Sequence, residues 1–260
     1  MEYLDWNGAG DALGAARSAG LFVLVIGPKG TGKTSLVRDF AARTGSSLES
    51  VNFSLRTREG HLVGSKTVRD GSVEFEEGVL PRSMRAGGML YLDEMNAAEA
   101  DVLLRLDEAL DDRRQLVLKE AGGQTVRAAD GWFVIASINP LSHGGTKELP
   151  PQLLSRFPVR IGLEYPPEDV EMEIIGRHVP GCGEEARAGV RLANSLREAA
   201  AAEELLYSPS MRETIAFARL VAGGMRPRGA ADLVFGNVYA QWGGIERRKV
   251  GDVITSVFGQ

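Results

Sequence analysis

The sequence predicts an α/β fold, a parallel β-sheet layered between helices, followed by a smaller all-helical domain. Three observations carry this. Five short apolar or β-branched runs, Leu21 to Ile26, Leu48 to Phe53, Met89 to Leu92, Trp132 to Ile138 and Val159 to Leu163, punctuate the first two thirds of the 260 residues. They are continuous rather than alternating, the pattern of strands buried on both faces, and helical stretches separate them. After Tyr165-Pro166-Pro167 the texture changes to Ala, Glu and Arg at helical spacing. The boundary is therefore placed to give domains 1–165 and 166–260.

The elements follow in order. The first run leads directly into Gly27-Pro28-Lys29-Gly30-Thr31-Gly32-Lys33-Thr34, and then Leu36, Val37, Phe40 and Ala41 repeat at helical spacing up to a stop at Gly45. Between the third and fourth runs, Asn96 and Glu99 match a capping box ahead of Val102, Leu103, Leu106, Ala109 and Leu110, one helical face. Two stretches read as hairpins inserted outside the main sheet. Val63 to Glu77 turns at Asp70-Gly71, and Gln115 to Val126 turns at Gly122-Gly123. In the second domain, Ile215, Phe217, Leu220 and Val221 suggest one helix, and Leu233, Val234 and Val238 another.

Composition narrows the function classes. A formal net charge of -5 and a pI near 5.4 disfavour a large phosphate-backbone footprint, so nucleic acid is not the expected partner. The single cysteine, Cys182, excludes an internal disulfide and a thiolate-rich metal site, and it reads as structurally incidental. The first residues show no basic region ahead of an apolar core, and the longest apolar run is too short to span a bilayer, so a cytoplasmic protein without a membrane segment is expected. His61, His143 and His178 are scattered without ligand spacing and read as surface or turn residues.

The chemistry concentrates in three places. Residues Gly27 to Thr34 match G-x-x-x-x-G-K-[ST] between a strand and a helix. The glycines let backbone N–H groups and the positive helix end wrap a polyphosphate, Lys33 reaches its β- and γ-phosphates, and Thr34 offers a hydroxyl to Mg²⁺. At the end of the third strand, Asp93 is placed to hold Mg²⁺ through its water shell and Glu94 to orient and deprotonate the attacking water. Asn139 ends the fourth strand before Pro140, where its amide serves either the γ-phosphate and attacking water or turn chemistry.

The order of phosphate loop, Leu92-Asp93-Glu94, Asn139-Pro140 and Leu153-Leu154-Ser155-Arg156-Phe157 resembles AAA+ ATPases of the MoxR-like group. Tyr91-Leu92-Asp93-Glu94-Met95-Asn96, Leu110-Asp111-Asp112-Arg113-Arg114 and Tyr165-Pro166-Pro167 are similar to the CbbQ/NorQ/GvpN branch. The resemblance implies a P-loop NTPase three-layer sandwich with strand order 5-1-4-3-2, a helical lid, and a hexameric homo-oligomeric ring that binds ATP and Mg²⁺ between neighbours. Gly27, Pro28, Lys29, Gly30, Thr31, Gly32, Lys33, Thr34 and Ser35 then hold the nucleotide, joined by Arg212 of the lid as sensor 2. Arg156 becomes an arginine finger acting in the adjacent subunit. Asn52 occupies a position that restrains the catalytic Glu, and Arg113 or Arg114 is either a further contact across subunits or a solvated charge. The two hairpins become inserts facing a pore or partner. The implied function is remodelling or activation of a partner protein through a von Willebrand A-domain adaptor, with targets such as Rubisco, nitric oxide reductase or gas-vesicle components. The short segment before the first strand leaves no separate substrate-binding domain, so substrate choice falls to the loops, the lid or another chain. Two rivals are a nucleic-acid or restriction-type AAA+ motor and a small-molecule kinase. The acidic balance of the inserts (Asp70, Glu74, Glu76, Glu77 and Glu120 against Lys66, Arg69 and Lys119) disfavours the first.

Overall fold

A computed structural model describes residues 3–141 and 146–259, and His143 lies outside them. The chain divides into two compact units, residues 1–28 with 32–163, and residues 29–31 with 164–260.

The first unit runs α1 (Ala9–Ser18), β1 (Val23–Ile26), α2 (Lys33–Arg43), β2 (Leu48–Asn52), α3 (Glu59–Leu62), β3 (Gly64–Arg69), β4 (Ser72–Glu77), α4 (Val79–Ala86) and β5 (Met89–Asp93). It continues through α5 (Ala100–Ala109), β6 (Gln115–Leu118), β7 (Gln124–Arg127), β8 (Phe133–Ile138), α6 (Pro151–Ser155) and β9 (Val159–Gly162). The five apolar runs form one parallel sheet in the order β2-β5-β8-β1-β9. Counting only those five strands along the chain, this is the expected 5-1-4-3-2.

Burial explains why the runs are continuous. Val23, Leu24 and Val25 of β1 and Val134, Ile135 and Ala136 of β8 are fully buried because helices cover both faces. Leu36, Val37 and Phe40 of α2 and Leu103 and Leu106 of α5 join the same core. Trp132 closes one end of it, edge-on to Phe22 with centroids 5.4 Å apart and its indole N–H donating to Ser83 Oγ at 3.2 Å.

The hairpins stand outside the sheet as two-stranded pairs, β3 with β4 and β6 with β7. Asp70 and Gly71 both take positive φ, 51° and 81°, as the tight two-residue turn between twisted strands requires. The second connection differs from the expected plain turn. Lys119–Ala121 form a 3₁₀ turn before Gly122 and Gly123, so the strand stops at Leu118.

Asn96 does not cap α5, contrary to the expectation from its spacing to Glu99. α5 begins after Glu99 without a side-chain cap, and Asn96 sits in a separate 3₁₀ turn, Met95–Ala97, with its buried amide turned toward β8. Extended backbone at Ala98 breaks the two turns apart, so no capping box closes.

The second unit contains α7 (Glu168–His178), α8 (Glu184–Ala201), α9 (Met211–Ala222), α10 (Pro227–Ala231) and α11 (Gly244–Phe258). The expected helix at Leu233, Val234 and Val238 is not an α-helix. Asp232–Gly236 is a π segment and Asn237–Trp242 a 3₁₀ segment, and the changed phase turns Leu233 outward while Phe235 and Tyr239 fill the core. Among the described residues no helix is long and apolar enough to cross a membrane.

Three helices of this unit meet at one buried ion pair. Arg197 of α8 makes a bidentate contact to Glu171 of α7 at 2.6 and 3.0 Å, donates to the Pro209 carbonyl at 2.9 Å and lies over the Tyr165 ring. Thr214 of α9 donates to the same carboxylate at 2.6 Å. With Glu171 fully buried, Arg197→Met strands a carboxylate without its counter-charge. It is expected to destabilise the full chain by about 3–5 kcal/mol in urea unfolding, whereas replacing both partners with apolar residues costs much less.

Candidate active site

The sheet ends its parallel strands on one edge, and the loops leaving β1, β5 and β8 bring distant residues together there. The phosphate loop leaves β1 at Gly27, where an added Cβ would collide with the Leu163 carbonyl, so this position tolerates no side chain. Gly30 and Gly32 adopt φ of 74° and 93°, a left-handed backbone that lets the loop curl back into α2. Lys33 and Thr34 open α2, and Ser35 follows, exposed, in its first turn.

The Lys33 ammonium is buried and accepted by the carbonyls of Gly27 at 2.6 Å and Pro28 at 2.8 Å and by Asn139 Oδ1 at 2.9 Å. This places Asn139 beside the phosphate loop although 106 residues separate it from Lys33. Asn96 holds Asn139 from the other side, donating to its carbonyl at 2.8 Å and accepting its N–H at 3.3 Å. Lys33 therefore engages the Asn139 side-chain amide while Asn96 fixes its backbone, beyond any turn chemistry supplied by Pro140.

Thr34 Oγ donates to Asp93 Oδ2 at 2.9 Å. A hydroxyl and a carboxylate oxygen side by side at the start of a helix form a hard-oxygen donor set that fits Mg²⁺, which takes one or two protein oxygens and completes its shell with water and phosphate. Glu94, the next residue, is half-buried with φ 54°, the left-handed region, which turns the chain sharply at the strand end. Asn52 ends β2 in register with Asp93 and is exposed.

Two residues here escaped sequence reasoning. Tyr91 donates to Asp93 Oδ1 at 2.8 Å and lies 3.0 Å from Ser137 Oγ; burial first, then the Asp93 charge, pushes its phenol far above the ordinary range. Ser137 donates to the same Oδ1 at 2.6 Å and accepts the Glu94 N–H at 3.2 Å. A signal for each existed. Tyr91 is two residues before Asp93, hence on the same face of β5, and Ser137 is a lone hydroxyl within an otherwise apolar strand.

Arg156 is not part of this hydrogen-bonded set. It caps α6, and its guanidinium donates to Asp107 of α5 at 2.8 Å, a bond that raises its pKa. Arg113 pairs with Asp111 at 2.6 Å, and Arg114 donates to the Gly20 carbonyl and lies over the Phe22 ring, which gives Arg114 a structural role. In the second unit, Arg212 is exposed in the first turn of α9, behind Ser210, whose side chain forms a capping box with Glu213. Among the described residues no group of three or more His, Cys, Asp or Glu could hold a metal.

A glycine-rich loop between strand and helix, a buried lysine at its end, and two carboxylates at a neighbouring strand end define a P-loop nucleotide-binding protein. A family model described as the AAA domain (dynein-related subfamily) matches residues 22–157. NorQ of Paracoccus denitrificans is 35% identical over 184 residues, covering 70% of this chain and 67% of that protein. BssE of Thauera aromatica, named as a candidate chaperone, is 32% identical over 205 residues, covering 78% and 70%. Among solved structures, NtrX from Brucella abortus in complex with ATP is similar with a TM-score of 0.61 at 17% identity, covering 100% of this chain and 63% of that one. The chain belongs to the AAA+ ATPases, in the NorQ/CbbQ branch of the MoxR-like group.

Proposed function

We propose that this chain hydrolyses ATP with Mg²⁺ as the subunit of a homo-oligomeric, hexameric ring in the cytoplasm, and that the ring remodels or activates a partner protein or enzyme complex through a von Willebrand A-domain adaptor. Residues 1–165 form the nucleotide-binding domain and 166–260 the helical lid. The carrying observation is the convergence of Lys33, Thr34, Asp93, Glu94 and Asn139 at one edge of the sheet, while Arg156 bonds Asp107 outside that set. Lys33 and the loop amides would bind the β- and γ-phosphates, Thr34 and Asp93 would hold Mg²⁺, Glu94 would take the proton of the attacking water, and Asn139 would orient that water. Mg²⁺ supplies charge neutralisation across the phosphates. Arg212 of the lid joins the nucleotide as sensor 2, the neighbouring subunit's Arg156 completes the site as the arginine finger, and a head-to-tail contact that closes gives a ring.

Two features support a protein target. At the tip of the first hairpin Val68 and Val73 are paired across the strands and are 76% and 67% exposed. Around them Asp70, Glu74 and Glu76 outweigh Lys66 and Arg69, a balance that repels a phosphate backbone. The named chaperone relative points the same way.

Steady-state ATP turnover is the test, measured against protein concentration with the mass of the assembly followed alongside. Specific activity is expected to rise steeply as the ring forms. A monomer that hydrolyses at the full rate would refute the ring mechanism.

A further inference from the structure

Asp93 has two carboxylate oxygens, and the structure gives them different neighbours. Oδ2 meets Thr34 Oγ at 2.9 Å, on the side where Mg²⁺ fits. Oδ1 receives Ser137 Oγ at 2.6 Å and Tyr91 OH at 2.8 Å. A carboxylate free to turn about its last bond would exchange the two oxygens. Two donors on one of them remove that freedom, and hydrogen bonds to an ionised acceptor are the strong kind.

Ser137 uses its full hydrogen-bonding capacity here. Its one proton is used on Asp93 Oδ1, and its lone pairs face the Glu94 N–H at 3.2 Å and the Tyr91 hydroxyl at 3.0 Å. Tyr91 has one proton to share between Asp93 Oδ1 and Ser137 Oγ. The serine is fully buried, so its end of each of these bonds is shielded from water. The preceding residues of the strand, Phe133 to Ala136, are apolar and buried, so a residue needed only for packing would have no reason to carry a hydroxyl here.

The bond to the Glu94 N–H links the metal-side carboxylate to the water-side one. Glu94 sits at φ 54°, a conformation an L-residue holds only when its surroundings fix it. Ser137 contacts the peptide on the N-terminal side of that strained residue, while Ala97 N–H bonds its carbonyl at 2.8 Å on the other. Sequence geometry makes the arrangement possible. Tyr91 and Asp93 share a face of β5, and Ser137 lies one residue beyond the Leu92–Ala136 pair on β8, level with Asp93.

We propose that Ser137 and Tyr91 are positioning residues that lock Asp93 with Oδ2 toward Mg²⁺ and, through the Glu94 N–H, hold the two carboxylates in one fixed relation. This rests on the reading of the site as an ATP–Mg²⁺ site. It predicts that losing either hydroxyl raises the metal requirement while binding of the nucleotide without metal is unchanged.

The experiment compares wild type, Ser137→Ala and Tyr91→Phe. Mn²⁺ binding is followed by electron paramagnetic resonance in the presence of a non-hydrolysable ATP analogue, and ATP turnover is titrated with Mg²⁺ in parallel. Ser137→Ala is expected to need about 10-fold more Mn²⁺ for half-saturation, the usual consequence of removing an outer-shell partner, and Tyr91→Phe about 3-fold more because its proton is shared. Affinity for the analogue without metal should stay within about 2-fold of wild type, since in this reading Lys33 and the loop amides hold the phosphates and the Tyr91 hydroxyl meets only the metal-side Thr34. Half-saturation at the wild-type Mn²⁺ concentration in both variants overturns the proposal. Should Ser137→Ala fail to fold, Tyr91→Phe decides it alone, because it keeps the buried ring and removes only the hydroxyl. A wild type that binds Mn²⁺ with the analogue yet never hydrolyses ATP would sink the ATPase reading instead, and the Mn²⁺ comparison would still judge the positioning claim. A wild type that binds no Mn²⁺ overturns both.

Discussion

Glu94→Gln is expected to lower ATP turnover about 10³-fold while leaving affinity for Mg²⁺–ATP within about 2-fold. The substitution keeps the shape of the side chain and removes its ability to take a proton from the attacking water. Binding should survive because the groups placed to hold the nucleotide and metal are others. Lys33 is fixed by the Gly27 and Pro28 carbonyls and Asn139, and Asp93 is paired with Thr34 and Ser137. The left-handed backbone at residue 94 is retained too, since Gln and Glu have the same stem and the Ser137 contact uses the backbone N–H. Single-turnover hydrolysis and equilibrium binding of a fluorescent ATP analogue separate the two effects. Equal loss of binding and turnover would show that Glu94 holds the site together and is not its base.

Much of this site is legible in the sequence, and the reason is local. A phosphate loop is a continuous stretch, so its glycines and Lys33 appear in one window; Asp93 and Glu94 announce themselves at the end of a buried run. The sheet was readable for a related reason, because strands covered on both faces cannot alternate in polarity, and Val23–Val25 and Phe133–Ala136 do not. Its order came from the family resemblance, since spacing alone does not encode which strands are neighbours.

What stayed hidden was of two kinds. Asn96 carries a residue type and spacing that suit a helix cap equally well, and only its distance to Asn139 decides between the two uses. Ser137 and Tyr91 act across strands, through a register that one strand's sequence does not contain. The segment from Asp232 to Trp242 differs for another reason: its apolar spacing suits the α period, whereas a π turn followed by 3₁₀ turns moves the buried positions to Phe235 and Tyr239.

Arg156→Ala is expected to lower turnover by about 10³-fold in the assembled protein and to leave nucleotide affinity of the isolated subunit unchanged. In the chain by itself the guanidinium is engaged by Asp107 at 2.8 Å, and magnitude decides whether that contact could keep it from a phosphate. Arg156 and Asp107 are 31% and 33% exposed in their side chains, and pairs so open to water contribute about 0–1 kcal/mol. The expected 10³-fold effect on rate corresponds to about 4 kcal/mol of transition-state stabilisation, several times what the pair contributes, so the pair is not expected to hold Arg156 back from a neighbouring γ-phosphate. Asp107→Asn should therefore change turnover little in the assembled ring, whereas Arg156→Ala should nearly abolish it. Mixing Arg156→Ala with Glu94→Gln distinguishes action across subunits from action within one. In a mixed ring, some sites combine an intact Glu94 with a neighbour's intact Arg156, and turnover should reappear above that of either variant alone. An inert mixture whose subunits demonstrably co-assemble would place Arg156 in its own subunit's chemistry, and the dependence of hydrolysis on ring formation would then need another cause.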